Sequence, residues 1–343
     1  MRHAILIAAA AVAPLGAAAQ EMTTINLINP LPRSANFYPL IAGEALGYFA
    51  EEGIEVNLLP SSTSLPFIAF VQNGQADVAM LDPTEVVNAV NSGADIKLVY
   101  EVMQNAPEGI AVLADSEYQS VADLAGTTVG LVSDRDRNTM AFALGTADLS
   151  IDDVTTVVVG EAGPTLANAL GTGEVSAISG AVPDWLALQA NGLEIRLITP
   201  ADVTAIPANN FVVRSDRIEE LRPALEGFLR AWSKGNHAAV IDPDAVAAMA
   251  EQAVPEEWEN KEFGRQFLDA SIGMNVSVTE QIGAPQPEAW AALQPRLLSV
   301  GAIQQEIDPA SFIDSSLIGP ANDWSREDLA ADIVAWRAEN MAE

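Results

Sequence analysis

Short apolar segments typical of β-strands alternate with helical segments through the first two hundred residues of this chain. The first strand candidates are TTINLI (23–28), IEVNLL (54–59), DVAML (77–81) and IKLVYEVM (96–103). Between them, polar helix-start residues and glycines such as Gly53 and Gly74 mark where helices begin and end. Strand–helix–strand repetition of this kind indicates an α/β fold whose sheet is mostly parallel and covered on both faces.

A second series of strands and helices begins near Gly109, with strand candidates GIAVLA, TTVGLV, TTVVV, VSAIS and LEIRLI. The segments NGQADVAMLDP (73–83) and TGEVSAISGAVP (172–183) are alike, because each ends a helix with glycine, continues as a strand and reaches a proline. From Ser215 onward, long helical patterns dominate. Since no low-complexity linker separates the two series, the sequence predicts two similar α/β lobes joined by several crossings, with a helical C-terminal extension.

The N-terminal segment MRHAILIAAAAVAPLGAAAQ has a basic start at Arg2, an apolar centre and an A-x-A cleavage site before Gln20. This pattern predicts a secretory signal peptide over residues 1–19 and a periplasmic mature protein. Its apolar run is too short to span a bilayer, so no stable membrane insertion is expected. The chain has no cysteine, which excludes disulfides, thiolate metal ligands, cysteine nucleophiles and a lipid anchor on cysteine.

Charge and composition narrow the classes of function. The formal net charge of −31 disfavours binding to nucleic acid or to anionic membranes. Outside the signal segment the only histidine is His237, whose position in a helical run favours a surface residue over a catalytic base or metal ligand. No P-loop and no G-x-G-x-x-G motif follows a strand. We therefore expect no enzymatic activity, no metal and no cofactor.

Three motifs occur in order at GEALGYFAEEGIEV (43–56), NGQADVAM (73–80) and SVADLAGTTVGL (120–131). Together they resemble the periplasmic solute-binding proteins of ABC importers for nitrate, sulfonate, taurine and thiamine precursors. The resemblance implies a two-lobed periplasmic binding protein fold, type II-like, hinged by two crossings. It places lobe 1, which is discontinuous, at residues 20–104 plus 208–343, and lobe 2 at residues 105–207.

The same resemblance implies a monomer that closes over a small-molecule ligand and delivers it to an inner-membrane ABC permease and its ATPase. A ligand-sensing subunit of a signalling system stays open as an alternative, as does an enzyme on the same fold, which is less favoured. The family also resembles a eukaryotic pyrimidine synthase that uses histidine and a cysteine-rich motif. Because this chain lacks cysteine, that activity does not carry over.

The loop LVSDRDRNTM (131–140) joins a predicted strand to a predicted helix. Ligands of α/β lobes bind at such strand ends, where free N–H groups of the following helix attract anions. Ser133 and Asn138 are candidate donors, and Arg135 or Arg137 could pair with a carboxylate or sulfonate. The two aspartates of the loop could instead neutralise the arginines or bind a cationic group, and a solvated loop with internal ion pairs is a further alternative.

The other candidate ligand-binding residues lie at further strand ends and at the crossings. They are Phe37, Tyr38, Ser62, Thr63, Asp82, Thr84, Glu101, Asp184, Trp185 and Asn210. Helix capping is the alternative role for the hydroxyl and carboxylate groups, and core packing for the aromatic ones. Because acidic candidates are nearly as numerous as basic ones, the balance favours a zwitterion or a pyrimidine-like heterocycle, with an organic acid or sulfonate still open.

Overall fold

The computed structural model describes residues 22–60, 66–160, 162–204 and 206–341. The predicted signal peptide and the candidates Ser62 and Thr63 lie outside these described residues. The strands are β1 (Thr23–Ile28), β2 (Ile54–Leu58), β3 (Val78–Leu81), β4 (Ile96–Glu101), β5 (Glu108–Leu113), β6 (Thr128–Leu131), β7 (Thr155–Val158), β8 (Ala177–Ala181), β9 (Ile195–Leu197) and β10 (Asn210–Arg214). The helices are α1 (Tyr38–Ala45), α2 (Tyr48–Glu51), α3 (Phe67–Gln72), α4 (Pro83–Asn91), α5 (Asp136–Gly145), α6 (Gly163–Gly171), α7 (Val182–Ala190), α8 (Ala201–Thr204), α9 (Ile218–Ile241), α10 (Pro243–Ala253), α11 (Lys261–Asn275), α12 (Pro287–Ser299), α13 (Pro309–Phe312), α14 (Ile318–Ala321) and α15 (Arg326–Asn340).

The strands form two five-stranded sheets, in the orders β2-β1-β3-β10-β4 and β7-β6-β8-β5-β9. We call each sheet with the helices packed on it a lobe. In the first lobe β10 runs antiparallel to β3 and β4, and in the second β5 runs antiparallel to β8 and β9. Four of the five strands in each sheet therefore run in one direction, as the prediction of a mostly parallel sheet requires, and one reversed strand makes each sheet mixed. Each reversed strand is the first one after the chain arrives from the other lobe, without the helical crossover that makes neighbouring strands parallel.

Helix ends and turns follow local chemistry. Pro39 lies in the first turn of α1, where its missing N–H leaves no helical hydrogen bond unmade. Gly47, with φ of 80°, separates α1 from α2 in a left-handed conformation that costs other residues strain. Asp82 caps α4 through a capping box with Glu85. These ends fix where the loops between strand and helix begin.

The two connections between the lobes run side by side. The amides of Val102 and Met103 donate to the carbonyl of Asn209 over 2.8 and 3.0 Å, and the amide of Ala208 donates back to Met103 over 2.9 Å. A further bond of 2.9 Å joins Ala106 to Thr204. The predicted boundaries of the lobes, at 104/105 and 207/208, fall within this paired segment and remain predictions.

Each sheet is buried on both faces, as the strand pattern predicts. In the first lobe, Ile25 and Leu27 belong to one core cluster, while Ile28 faces another. In the second, Val112 and Ala111 point into different clusters in the same way. The alternation along single strands shows that helices cover both surfaces of each sheet.

The helical C-terminal region completes the first lobe. Trp232 and Phe228 of α9 are fully buried and form an aromatic cluster with Phe211 of β10, with ring centroids 4.8 to 6.0 Å apart. Helix α11 also contacts α7, so this region reaches the second lobe as well. Within the described part of the chain, no helix has both the length and the apolar character needed to cross a bilayer.

Candidate ligand-binding cleft

A cavity of about 760 Å³, here called the cleft, lies between the two sheets. Leu31 follows β1, Asp82 follows β3 and Ser133 follows β6, so strand ends of both lobes meet there. Glu108 and Asn209 join them from the two crossings. This is the place where open α/β sheets bind ligands, and the volume suits a small organic molecule.

Two carboxylates of the first lobe face the cleft at the start of α4. The Glu85 amide donates to Asp82 Oδ1 over 2.8 Å, and the Asp82 amide donates to Glu85 Oε2 over 3.2 Å. Burial raises the pKa of Asp82, against the hydrogen bonds of the capping box and the charge of Arg135. Burial and the Asp82 charge raise the pKa of Glu85 to about 7. Because burial outweighs the attraction of Arg135, negative charge on both groups at once is costly.

Asp136 brings a third carboxylate, from the second lobe. Its Oδ2 accepts hydrogen bonds from the amide and the hydroxyl of Ser133, over 2.7 and 2.8 Å. Burial raises the pKa of Asp136, and these bonds and the charge of Arg135 oppose that rise. Arg135 also acts on Asp82 and Glu85, so its guanidinium attracts carboxylates of the opposite lobe.

Glu108 is the fourth carboxylate and starts β5, directly after the first crossing. Burial and, to a smaller extent, the charges of Asp82 and Asp136 raise its pKa to about 7, while its own backbone N–H opposes the shift. Unlike the other three, Glu108 accepts no hydrogen bond from another described residue. Its pairing with Ala181 across the sheet fixes the backbone and directs the side chain into the cleft.

The rest of the cleft wall follows one face of α4. Glu85, Asn88, Ala89 and Ser92 recur at helical spacing and all line the cavity. Apolar side chains form another part of the wall, namely Phe67 and Ile68 from α3 and Leu293 and Leu297 from α12. The end of α12 lies beyond the first turn of α4, because the Asn88 side chain donates to the Ala302 carbonyl over 2.9 Å and the Ala302 amide donates to the Leu297 carbonyl over 2.8 Å. The cleft is thus acidic at the N-terminal end of α4 and apolar towards its C-terminal end.

Comparison with known proteins agrees with this geometry. The family described as NMT1/THI5 like matches residues 34–246. The chain belongs to the NMT1/THI5-like family. It is 25% identical over 318 residues to the riboflavin-binding protein RibY of Chloroflexus aurantiacus, which covers 88% of each chain. It is also 27% identical over 206 residues to the formylaminopyrimidine-binding protein of Halalkalibacterium halodurans, a match that covers 58% of this chain and 61% of that protein.

Solved structures share the fold of this NMT1/THI5-like protein. The periplasmic aliphatic sulphonate binding protein SsuA of Escherichia coli aligns with a TM-score of 0.68 at 15% identity, over 85% of this chain and 92% of SsuA. The desulfurization enzyme DSZB aligns with a TM-score of 0.61 at 16% identity, over 87% and 98% of the two chains. These likenesses confirm the predicted two-lobed periplasmic binding protein fold.

The structure brings six of the sequence candidates to the cleft of the NMT1/THI5-like protein. They are Phe37, Asp82, Thr84, Ser133, Arg135 and Asn138. They come from the segments after β1, β3 and β6 and from the first turns of α4 and α5, whose positions follow from the strand–helix alternation. Their role in binding stays a prediction.

Four candidates are placed in the interior instead, away from the cleft. Tyr38 donates from its hydroxyl to the Asn236 carbonyl over 3.1 Å, and burial raises the pKa of its phenol. Trp185 packs in a core cluster of the second lobe, and Asn210 donates to the Ala208 carbonyl. The fourth, Glu101, has a structural role described next.

Glu101 joins the first crossing to the C-terminal helices. Its Oε1 accepts from the Gln286 amide and Trp290 Nε1 over 2.9 and 2.8 Å, and its Oε2 accepts from the side-chain amides of Gln286 and Gln104 over 3.0 and 3.1 Å. Burial raises the pKa of Glu101 and these four donors oppose the shift. The residue holds α12 on the sheet.

The two remaining candidates, Arg137 and Asp184, do not line the cleft. Arg137 is exposed and does not line the cleft. Asp184, the third residue of α7, accepts a hydrogen bond from the amide of the N-cap residue Ala181 over 2.7 Å, as the third residue of a capping box does. His237 contacts the Trp324 ring at 5.5 Å, and burial lowers the pKa of its imidazole. Among the described residues, no cluster of histidine and carboxylate side chains has metal-binding geometry.

Sequence reasoning missed several cleft residues, of which Glu85 and Glu108 are charged, while Asp136 is one of the two loop aspartates that it weighed as partners of the arginines or of a cationic group. Glu85 shows as the third position of a capping box, and Asp136 shows as part of the loop before α5. Glu108 follows Pro107 at a strand start, where a carboxylate is ordinarily exposed. Its burial depends on the second crossing and on both lobes, which no local pattern encodes.

Proposed function

We propose that this NMT1/THI5-like protein is the periplasmic solute-binding component of an ABC importer. It takes a small polar organic solute into the cleft and passes it unchanged to an inner-membrane permease and its ATPase. The observation that carries the proposal is the 760 Å³ cleft lined by polar groups from strand ends of both lobes. The family match and the names of the relatives support it.

Closure follows from the way the two lobes share the cleft. Arg135 of the second lobe attracts Asp82 and Glu85 of the first, and Phe142 of α5 packs against core clusters of both lobes. A solute that touches both walls binds the closed form better than the open one, so it shifts the population towards closure. Micromolar affinity needs a net free energy of only about −8 kcal/mol.

An enzyme on this fold is the second candidate, because the desulfurization enzyme DSZB aligns over most of the chain. The absence of cysteine restricts it to chemistry without a thiol nucleophile. The two candidates differ in one observable, which is whether the bound molecule leaves with its covalent structure intact.

The experiment that tests the binding function identifies the solute that the protein retains. The purified protein is incubated with the small-molecule fraction of a cell extract and washed, and the retained compound is released by denaturation and identified by mass spectrometry. We expect one dominant compound of unaltered mass that raises the thermal midpoint when added back, because ligand binds the folded state alone.

A matched pair of variants locates the binding. Thr84→Trp fills the cleft from α4, whereas Thr155→Trp adds the same side chain on the exposed edge strand β7. We expect Thr84→Trp to abolish retention and Thr155→Trp to keep it. Retention of no compound by the wild type would refute the binding function, and steady conversion to a compound of different mass would support the enzyme.

A further inference from the structure

We propose that the cleft selects a ligand with a positively charged, N–H-bearing head and an apolar body, and that Glu108 is the residue that recognises the charge. The proposal rests on the solute-binding function above and names the class of solute. It separates this chain from the sulphonate-binding protein that shares its fold.

Charge is the first observation. Among the described residues that line the cleft, Asp82, Glu85, Glu108 and Asp136 are acidic and Arg135 alone is basic. The guanidinium already interacts with three of the carboxylates. A sulfonate would add a further negative charge to this buried site, whereas an ammonium or amidinium head would offset the charge already there.

The second observation singles out Glu108 within the group. Asp82, Glu85 and Asp136 each accept a hydrogen bond from the backbone amide of a residue three positions away in the chain. No described side chain donates to the carboxylate of Glu108, whose one hydrogen bond comes from its own backbone N–H. Its lone pairs are therefore available to a ligand, and the neighbouring charges of Asp82 and Asp136 add to the attraction for a cation.

The third observation is the length and polarity of the cavity. Glu108 lies near Asp82, at the N-terminal end of α4, as their electrostatic interaction shows. The cavity then extends along α4 to Ser92, which is roughly 10 Å from Glu85 at the helical rise per residue. At that end Leu293 and Leu297 form an apolar wall. A ligand that fills both ends has a cationic head and an apolar body.

Four probes with one body and different heads test the charge preference. They are 3-phenylpropylamine, 3-phenylpropan-1-ol, 4-phenylbutyrate and 3-phenylpropane-1-sulfonate, titrated calorimetrically at pH 8, where Glu108 is ionised. We expect the amine to bind at least about tenfold more tightly than the alcohol, since a charge-assisted hydrogen bond exceeds a neutral one by that margin. Both anions should bind more weakly than the alcohol.

Variants assign the preference to Glu108. Glu108→Gln should weaken amine binding by at least about tenfold and leave the alcohol within about threefold. Glu117→Gln removes the same charge from an exposed site of the second lobe and should change neither affinity. In n-alkylamines, each added methylene should tighten binding about three- to fourfold until the apolar end is full.

Proton release gives a readout that a purely structural role for Glu108 would not change. At pH 7 the wild type should release protons when the amine binds, because the cation lowers the pKa of the buried carboxyl. The number of protons released per bound amine is obtained from calorimetry in two buffers of different ionisation enthalpy. The Glu108→Gln variant should release fewer protons than the wild type.

Tightest binding of either anion, equal binding of all four probes, or no binding of the amine at millimolar concentration would overturn the proposal. An anionic solute recovered from the cell extract would also overturn it, while leaving the importer function intact. Failure to retain any solute, by contrast, counts against the function itself.

Discussion

Replacing Glu108 with glutamine should stabilise the empty protein, and by more at high pH than at low pH. In the folded state burial and the charges of Asp82 and Asp136 hold the pKa of Glu108 at about 7, against an ordinary value of 4.5. The carboxyl therefore stays protonated in the folded protein at pH values where it is ionised in the unfolded chain. Stability is lost as the pH rises through this window, and it stays low above it.

The magnitude follows from the two pKa values. Ionisation of Glu108 lowers the free energy of unfolding by about 1 kcal/mol at pH 5 and by about 3 kcal/mol at pH 8. Glutamine has nearly the same shape and no charge to lose, so Glu108→Gln should recover these amounts. The expected gain is thus about 2 kcal/mol larger at pH 8 than at pH 5.

Urea unfolding followed by tryptophan fluorescence measures the effect, since the chain has six tryptophans. Wild type and Glu108→Gln are compared at both pH values without added ligand, with Glu117→Gln as the control for an exposed charge. The control should change stability by less than about 0.5 kcal/mol at either pH. An equal effect of Glu108→Gln at both pH values, or destabilisation at pH 8, would refute the electrostatic description of the cleft.

Three further predictions concern other parts of the fold. Glu101→Ala removes the acceptor of four hydrogen bonds, one of them from the buried Trp290 Nε1, and should cost about 3–5 kcal/mol of stability, measured by urea unfolding. A cost below about 1 kcal/mol would contradict its structural role. Gly235→Ala places a Cβ 2.0 Å from a backbone carbonyl of α1 and should destabilise by about 3 kcal/mol, whereas Gly273→Ala, with open space around it, should stabilise by about 0.5–1 kcal/mol in the same assay. Arg135→Ala should shift the lobes towards the open form by about 1 kcal/mol, roughly fivefold, while Arg137→Ala should not; equal hydrogen-exchange rates at the crossings in both variants would contradict this.

The architecture of this protein was accessible from its sequence because each sheet strand carries a local signature. Nine of the ten strands coincide with apolar segments that the sequence marks, with ends that differ by at most two residues. The exception is β10, whose NFVVR run follows the polar segment that returns from the second lobe. The reversed direction of β5 and β10 could not be predicted from the sequence either, since it depends on which sheet the chain has just left.

The cleft was accessible only in part, for a related reason. Asp82 and Arg135 sit on loops that a strand end and a helix start define, so local pattern places them at the cleft edge. Tyr38 and Asn210 occupy similar positions in the sequence, yet their side chains turn into the core. Glu108 has no local signal, because its environment is assembled from both lobes. The charge of the cleft is thus a tertiary property.

Small-angle X-ray scattering tests most directly whether a solute held between the lobes draws them together. The radius of gyration is measured for wild type and Thr84→Trp, each empty and with a saturating amount of the recovered solute. We predict a smaller radius for the loaded wild type and no change for the variant with the filled cleft. Superimposable curves for empty and saturated wild type would contradict capture by lobe closure.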